Sequence, residues 1–233
     1  WTIFKKCRKL RAGHVLELDT EDLTCVPESE PHWNLAFEPK VRISQEEAEE
    51  EFLRLLARAV DKRLMSDVAL GVFLSGGIDS SAIIAVLAQL QKAEGVQTFS
   101  ISFGEKSFDE SAYAREVADK FGTVHHECTL DQEAALGAFP AIVDKLDEPF
   151  SDPSLLPTYL LCGFASEHIT VALGGDGGDE LMAGYDPFVA HKIMRWCGPL
   201  PHVFLSALQM CTRLIPASER NMSLDFKLQY FLK

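Results

Sequence analysis

The chain has 233 residues, 47% hydrophobic and 24% charged, with a net charge of −13. This composition allows a sizeable core, in one large domain or in a main domain with part of a neighbour, while the acidity argues against general nucleic-acid affinity and against an anionic membrane surface. No uncharged apolar run approaches the length of a membrane span and the first residues lack a secretion-signal core, so the expected location is cytoplasmic.

Lys9 to Leu18 reads as a turn entering a short alternating strand. Val26 to Lys40 holds Pro27, Pro31, Pro39 and Trp33, and reads as an extended linker with the tryptophan exposed. The composition changes near Ser44, which divides the chain into residues 1–43 and 44–233. Ser44-Gln45-Glu46-Glu47 has the form of a capping box, and Ala48, Phe52, Leu55, Leu56, Ala59 and Val60 recur on one face of the helix it opens. The glutamates of its first turns are a solvated face favoured by the helix dipole.

Val68 to Leu74 is short and apolar like a buried strand, and it breaks into Ser75-Gly76-Gly77 before a long apolar helix starting near Asp79. Paired glycines let backbone approach a ligand closely, and the unpaired N–H groups of a helix N-terminus favour anions, phosphates above all. A Walker A loop would need Gly-Lys-Ser/Thr, and here Gly77 is followed by Ile78 and Asp79. A plain strand-to-helix turn capped by Asp79 is the simpler alternative. Ser75-Gly76-Gly77-Ile78-Asp79-Ser80-Ser81 resembles instead the pyrophosphate loop of the ATP pyrophosphatases.

Beyond it, Ala82 to Leu90 continues the helix and Val96 to Phe103 gives a second strand. Ser107 to Glu110 opens a helix that Gly122 can end, and Thr123 to Cys128 gives a third strand. His125 and His126 on that strand point to opposite faces and cannot share a metal. Asp131 to Leu146 and Ser154 to Glu167 read as helices, Ile169 to Leu173 as a fourth strand, and Pro187 to Cys197 and Leu200 to Leu214 as further helices. Strands alternating with helices imply a parallel sheet with ligands beyond the carboxyl ends of its strands.

At such an end stands Gly174-Gly175-Asp176-Gly177-Gly178-Asp179-Glu180, four glycines interleaved with three carboxylates. It fails as a dinucleotide fingerprint, because Glu180 occupies the place of a third small residue. It suits a loop whose backbone meets a ligand while acids hold Mg²⁺ or face a reacting group; a glycine-rich turn without a role is the alternative. The six cysteines, Cys7, Cys25, Cys128, Cys162, Cys197 and Cys211, are scattered. Neither a zinc site nor a disulfide framework is expected, only reduced and mostly buried thiols.

Ser75 to Ser81, Thr98 to Phe103, Thr123 to Glu127 and Leu173 to Tyr185 occur in the order and approximate spacing of the synthetase domain of glutamine-dependent asparagine synthetases, a family this chain resembles over nearly its whole length. The resemblance implies an α/β fold of the ATP-pyrophosphatase (adenine nucleotide α-hydrolase-like) type, a parallel sheet flanked by helices with a partly α-helical C-terminal region. Residues 1–43 would be the tail of a glutaminase domain and its linker, and the chain a fragment, lacking the glutaminase nucleophile and a catalytic lysine and inactive alone.

The implied reaction adenylates a carboxylate with ATP and Mg²⁺, releases pyrophosphate, and transfers ammonia derived from glutamine to form an amide and AMP. Ser75, Gly76, Gly77, Ser80 and Ser81 would hold pyrophosphate, Asp79 and Asp179 would bind Mg²⁺, and Leu74, Ile101, Gly174 and Gly175 would contact the nucleotide. Asp176 stands where the family has a catalytic glutamate: the family's Ser-Gly-Glu-Gly is here Gly174-Gly175-Asp176-Gly177. The acceptor implied is aspartate or another small carboxylate, as in relatives that modify sugars or close β-lactam rings. Nucleotide binding without turnover is the reading from another class. Expected partners are that acceptor, glutamine or ammonia through the glutaminase domain, and a second copy in a homodimer, with neither nucleic acid nor membrane.

Overall fold

The computed structural model describes residues 2–21, 27–105, 107 and 109–197. The described residues of its N-terminal segment are mostly exposed, Trp33 included, and pair two short strands, β1 (His14–Val15) and β2 (Glu30–Pro31), antiparallel. The stretch expected as a plain linker therefore supplies β2, whose register is fixed by His32 and Trp33 donating their N–H groups to the Gly13 carbonyl.

α1 (Gln45–Arg63) starts at the expected capping box, with Ser44 Oγ accepting from the Glu47 N–H at 3.2 Å and Glu47 Oε2 accepting from the Ser44 N–H at 2.8 Å. Its apolar face packs only along its second half. Leu56, Ala57, Val60 and Leu64 reach the core, whereas Phe52 and Leu55 stay 41% and 48% exposed because the first turns have no neighbour among the described residues.

From β3 (Leu70–Phe73) onward the chain alternates strand and helix: α2 (Ile78–Gln89), β4 (Gln97–Phe103), α3 (Ser111–Phe121), β5 (Val124–Leu130), α4 (Gln132–Lys145), α5 (Leu155–Ala165), β6 (Val171–Leu173), α6 (Gly178–Met182) and α7 (Asp186–Cys197). α3 starts later than Ser107 because Asp109 holds the turn before it, accepting from the Phe103 and Ser111 N–H groups. Gly122, at φ 68°, ends it in the left-handed conformation that favours glycine. α7 matches the helix expected from Pro187, and the one expected over residues 200–214 lies outside the described residues.

β3 to β6 form one parallel sheet in the order β5-β4-β3-β6, with Val72 level with Thr98 on one side and with Leu173 on the other. Alternation along the strands builds two cores. Val72 and Leu74 face Val60 of α1, Ile84 and Leu87 of α2, and Ala114 and Ala118 of α3. Phe73 and Phe99 face Leu161, Phe164 and Ala165 of α5. Helices thus cover both faces, which explains why β3 and α2 read as apolar nearly all round.

The two histidines divide as expected. His125 turns to the α3 side, its Nδ1 2.9 Å from Thr98 Oγ1 and its Nε2 3.1 Å from Ser100 Oγ. His126 turns to the other side and stacks on Phe99 and His168 at 5.0 and 4.5 Å between ring centroids. The expectation of buried thiols fails for the described free cysteines: Cys7 and Cys162 are exposed and Cys128 is half-buried. Cys128 sits on an edge strand and Cys162 on the outward side of α5, where neither core reaches. No helix among the described residues is long and apolar enough to cross a membrane.

Candidate functional site

β3 leads through β4 to β5 on one side of the sheet, and β6 then returns to the other side of β3. The connections reverse between β3 and β6, the place where parallel α/β sheets open a crevice beyond the strand ends. The loops leaving these two strands, Leu74 to Gly77 and Gly174 to Gly177, therefore start side by side.

The first loop is closed by its own serines. Ser80 Oγ donates to the Gly77 carbonyl and accepts from the Ser75 N–H, both at 3.2 Å, and lies 3.0 Å from Ser75 Oγ, which accepts from the Gly77 N–H. Gly76 takes φ 85°, and a Cβ there would meet Tyr113 and the Ala114 nitrogen of α3 at 2.6 Å, so conformation and space both require glycine. Ser81 Oγ, in the first turns of α2, is buried without a hydrogen-bond partner, an orphaned polar atom next to the loop expected to take a ligand. Leu74 is fully buried, so only its backbone faces the loop; Ile101 is half-buried on β4.

The second loop lies on the first. A Cβ at Gly175 would stand 3.0 Å from the Ser80 nitrogen, and one at Gly178 within 2.8 Å of both carboxylate oxygens of Asp79. Asp79 at the start of α2 thus reaches the start of α6. The Asp176 carboxylate folds back over its own loop, its Oδ2 2.7 Å from where a Gly174 Cβ would be. Asp179 is half-buried and its carboxylate rests on Gly184. The structure brings Ser75, Gly76, Gly77, Asp79, Ser80, Gly174, Gly175, Asp176 and Asp179 together on two adjoining loops and the helix starts they lead into, leaves Ile101 on the next strand, and keeps the Leu74 side chain in the core.

Tyr185 and Glu180 form a pair to which the sequence reading gave no role. Tyr185 Oη donates to Glu180 Oε1 at 2.7 Å. The bond holds the Glu180 carboxyl below its ordinary value and pushes the Tyr185 hydroxyl up to about 12, helped by burial and by the charges of Glu180, Asp179 and Asp152. The signal lay in the spacing: an acid and a tyrosine five residues apart across a short helix and a glycine turn.

Among the described residues no three His, Cys, Asp or Glu side chains converge on a metal position. Asp79 and Asp179 instead offer two hard-oxygen ligands, which suits a cation that keeps most of its shell for phosphate oxygens and water. A cavity of about 1000 Å³ in the N-terminal segment, lined by Lys6, Arg8, Lys9, Arg11 and His14 among others, is bordered by no residue of either loop.

The sequence profile described as Asparagine synthase matches residues 51–231. The chain is 31% identical over 188 residues to asparagine synthetase [glutamine-hydrolyzing] 1 of Bacillus subtilis, covering 81% of this chain and 29% of that one. It is 32% identical over 202 residues to asparagine synthetase [glutamine-hydrolyzing] 3 of the same organism, covering 80% and 32%. It is 31% identical over 206 residues to the amidase chyE of Penicillium rubens, covering 81% and 30%. The chain spans about a third of the length of the curated relatives it matches.

Proposed function

Because the chain belongs to the asparagine synthase family, we propose that it acts in an ATP-dependent amide-forming synthetase, with the ATP site between the loops after β3 and β6. The observation that carries this reading is the seating of the two loops on each other: Asp79 reaches Gly178, and Gly175 lies over the Ser80 nitrogen. In this reading residues 44–233 belong to the synthetase domain and residues 1–43 to the end of a glutamine-hydrolysing domain and its linker.

An acceptor carboxylate oxygen attacks the α-phosphorus of ATP, the bond to the β-phosphate oxygen breaks, and pyrophosphate leaves. Ammonia then attacks the acyl carbon and AMP leaves with the acceptor oxygen. Glutamine is the ammonia source and aspartate the acceptor, giving asparagine. Gly76, Gly77 and the unpartnered Ser81 hydroxyl hold the departing pyrophosphate, while the Ser75 and Ser80 hydroxyls hold the loop in shape. Ile101, Gly174, Gly175 and the Leu74 backbone line the nucleotide. Asp79 and Asp179 would hold Mg²⁺, which supplies charge neutralisation for the phosphates. Placement and electrostatics are the main needs of such chemistry.

A second reading keeps the reaction and changes the acceptor to another small carboxylate. It is favoured by Asp176, whose carboxylate is folded over Gly174, and by the likeness to a protein named an amidase.

The test is release of AMP and pyrophosphate by the intact protein given ATP, Mg²⁺ and ammonia or glutamine, with aspartate screened against other carboxylates. Aspartate-dependent release of both, lost in Asp79→Ala, is expected. Release with another carboxylate alone would favour the second reading, whereas ADP formation, or ATP binding without turnover, would contradict both.

A further inference from the structure

The turn after α6 ties itself to the Asp179 carbonyl through two backbone hydrogen bonds. α6 has five residues, too few for a helix to hold its own shape. Ala183 leaves it at φ 58°, a left-handed conformation that a residue with a Cβ adopts at a cost, and its N–H turns back to the Asp179 carbonyl. The Gly184 N–H donates to the same carbonyl at 3.0 Å, and the Gly184 Cα lies so close to the Asp179 carboxylate that no side chain fits between them. The next residue, Tyr185, bonds the residue beside Asp179 through its hydroxyl, at 2.7 Å to Glu180 Oε1, and its ring stacks on Phe188 of α7 at 6.2 Å and 21°. A strained alanine stays in place only where its surroundings hold it. Here the Tyr185 hydroxyl and ring close the turn from outside.

We infer that Tyr185 is a positioning residue for Asp179: its hydrogen bond to Glu180 latches the Ala183-Gly184 turn and so fixes the carboxylate that would hold the cation. The inference rests on the metal role given to Asp179 above. Backbone, side chain and neighbour of Asp179 are each held by one of three consecutive residues, so releasing the outermost frees the inner two. Tyr185→Phe removes only the hydroxyl and leaves the ring on Phe188, which separates the latch from the packing.

The experiment is a titration of the intact protein with Mn²⁺ in the presence of ATP, followed by electron paramagnetic resonance and run on a double-mutant cycle. Tyr185→Phe should weaken Mn²⁺ binding about tenfold, as expected for losing one hydrogen bond to a charged group, with ATP affinity in the absence of metal unchanged. In a Glu180→Ala background the same change should have no further effect, because its partner is gone; the cycle also cancels the effect of removing the Glu180 charge. Equal Mn²⁺ affinity in Tyr185→Phe and the parent, with Asp179→Ala still weakening it, would overturn the latch and leave the proposed function standing. A tenfold loss that persists in the Glu180→Ala background would likewise overturn it. If Asp179→Ala left Mn²⁺ binding unchanged, the latch and the metal role of Asp179 would fall together.

Discussion

His125 illustrates how one side chain is decided by its partners. Both its ring nitrogens lie beside hydroxyls, of Thr98 and Ser100, in a layer between β4, β5 and α3. Burial comes first in pushing its pKa below the ordinary imidazole value of 6.5; the positive charges of His126 and Arg115 act the same way, and Glu127 and Asp119 oppose them. His126 is lowered as well, by burial and then by His168. An unfolded chain therefore takes up these protons more readily than the folded one. The stability they contribute is complete above pH 6.5 and is lost as the pH falls through the lower folded values. Urea unfolding at a series of pH values should give a midpoint that drops below pH 6.5, with the His125 ring titrating under 6.5 by NMR; a flat midpoint, or a His125 value above 6.5, would contradict this. The opposite facing of the two histidines was legible because strand periodicity is local. Their partners were not, since nothing in the sequence states that Thr98 stands level with His125. The same holds for Asp79: its place at the helix start could be read, but its approach to Gly178 depends on β6 pairing with β3.

At the level of elements, α2 is the part on which the first loop depends, since its N-terminus forms the loop and its body is wedged between the sheet, α1 and α3. Leu87 is fully buried there, and Leu87→Ala should destabilise the protein by about 2–5 kcal/mol through lost burial and the cavity left behind. Met65→Ala, at a position 87% exposed, should stay within about 0.5 kcal/mol of the parent. Denaturant unfolding of both variants checks the contrast, and equal effects would mean that α2 does not pack as described. Elements with strong local signals were read nearly to their ends: the capping box of α1, the glycine stop of α3 and the strand-loop-helix at Ser75. α6 was not anticipated, because five residues between Gly177 and the Ala183-Gly184 turn carry no periodicity. The apolar face of α1 was legible, but the exposure of its first half was not, since an apolar face in sequence does not say where its neighbour ends.

For the molecule as a whole, the expectation of a parallel sheet flanked by helices holds, and the strand order β5-β4-β3-β6 adds what alternation alone could not supply: the two glycine loops leave adjacent strands. That adjacency turns two separate motifs into one candidate site. It also gathers Asp79, Asp176, Asp179 and Glu180 where the proposed chemistry brings ATP, so under that proposal the acidity of these loops would give a cation its place. The most direct test of the account follows the oxygen atoms. The intact protein is given ATP, Mg²⁺, ammonia and an acceptor labelled with ¹⁸O in its reacting carboxylate, aspartate first, and the products are weighed by mass spectrometry. Adenylation predicts one ¹⁸O transferred to the phosphate of AMP for each amide formed, with none in pyrophosphate. Label in inorganic phosphate with ADP as the other product would place the attack on the γ-phosphorus and contradict the account.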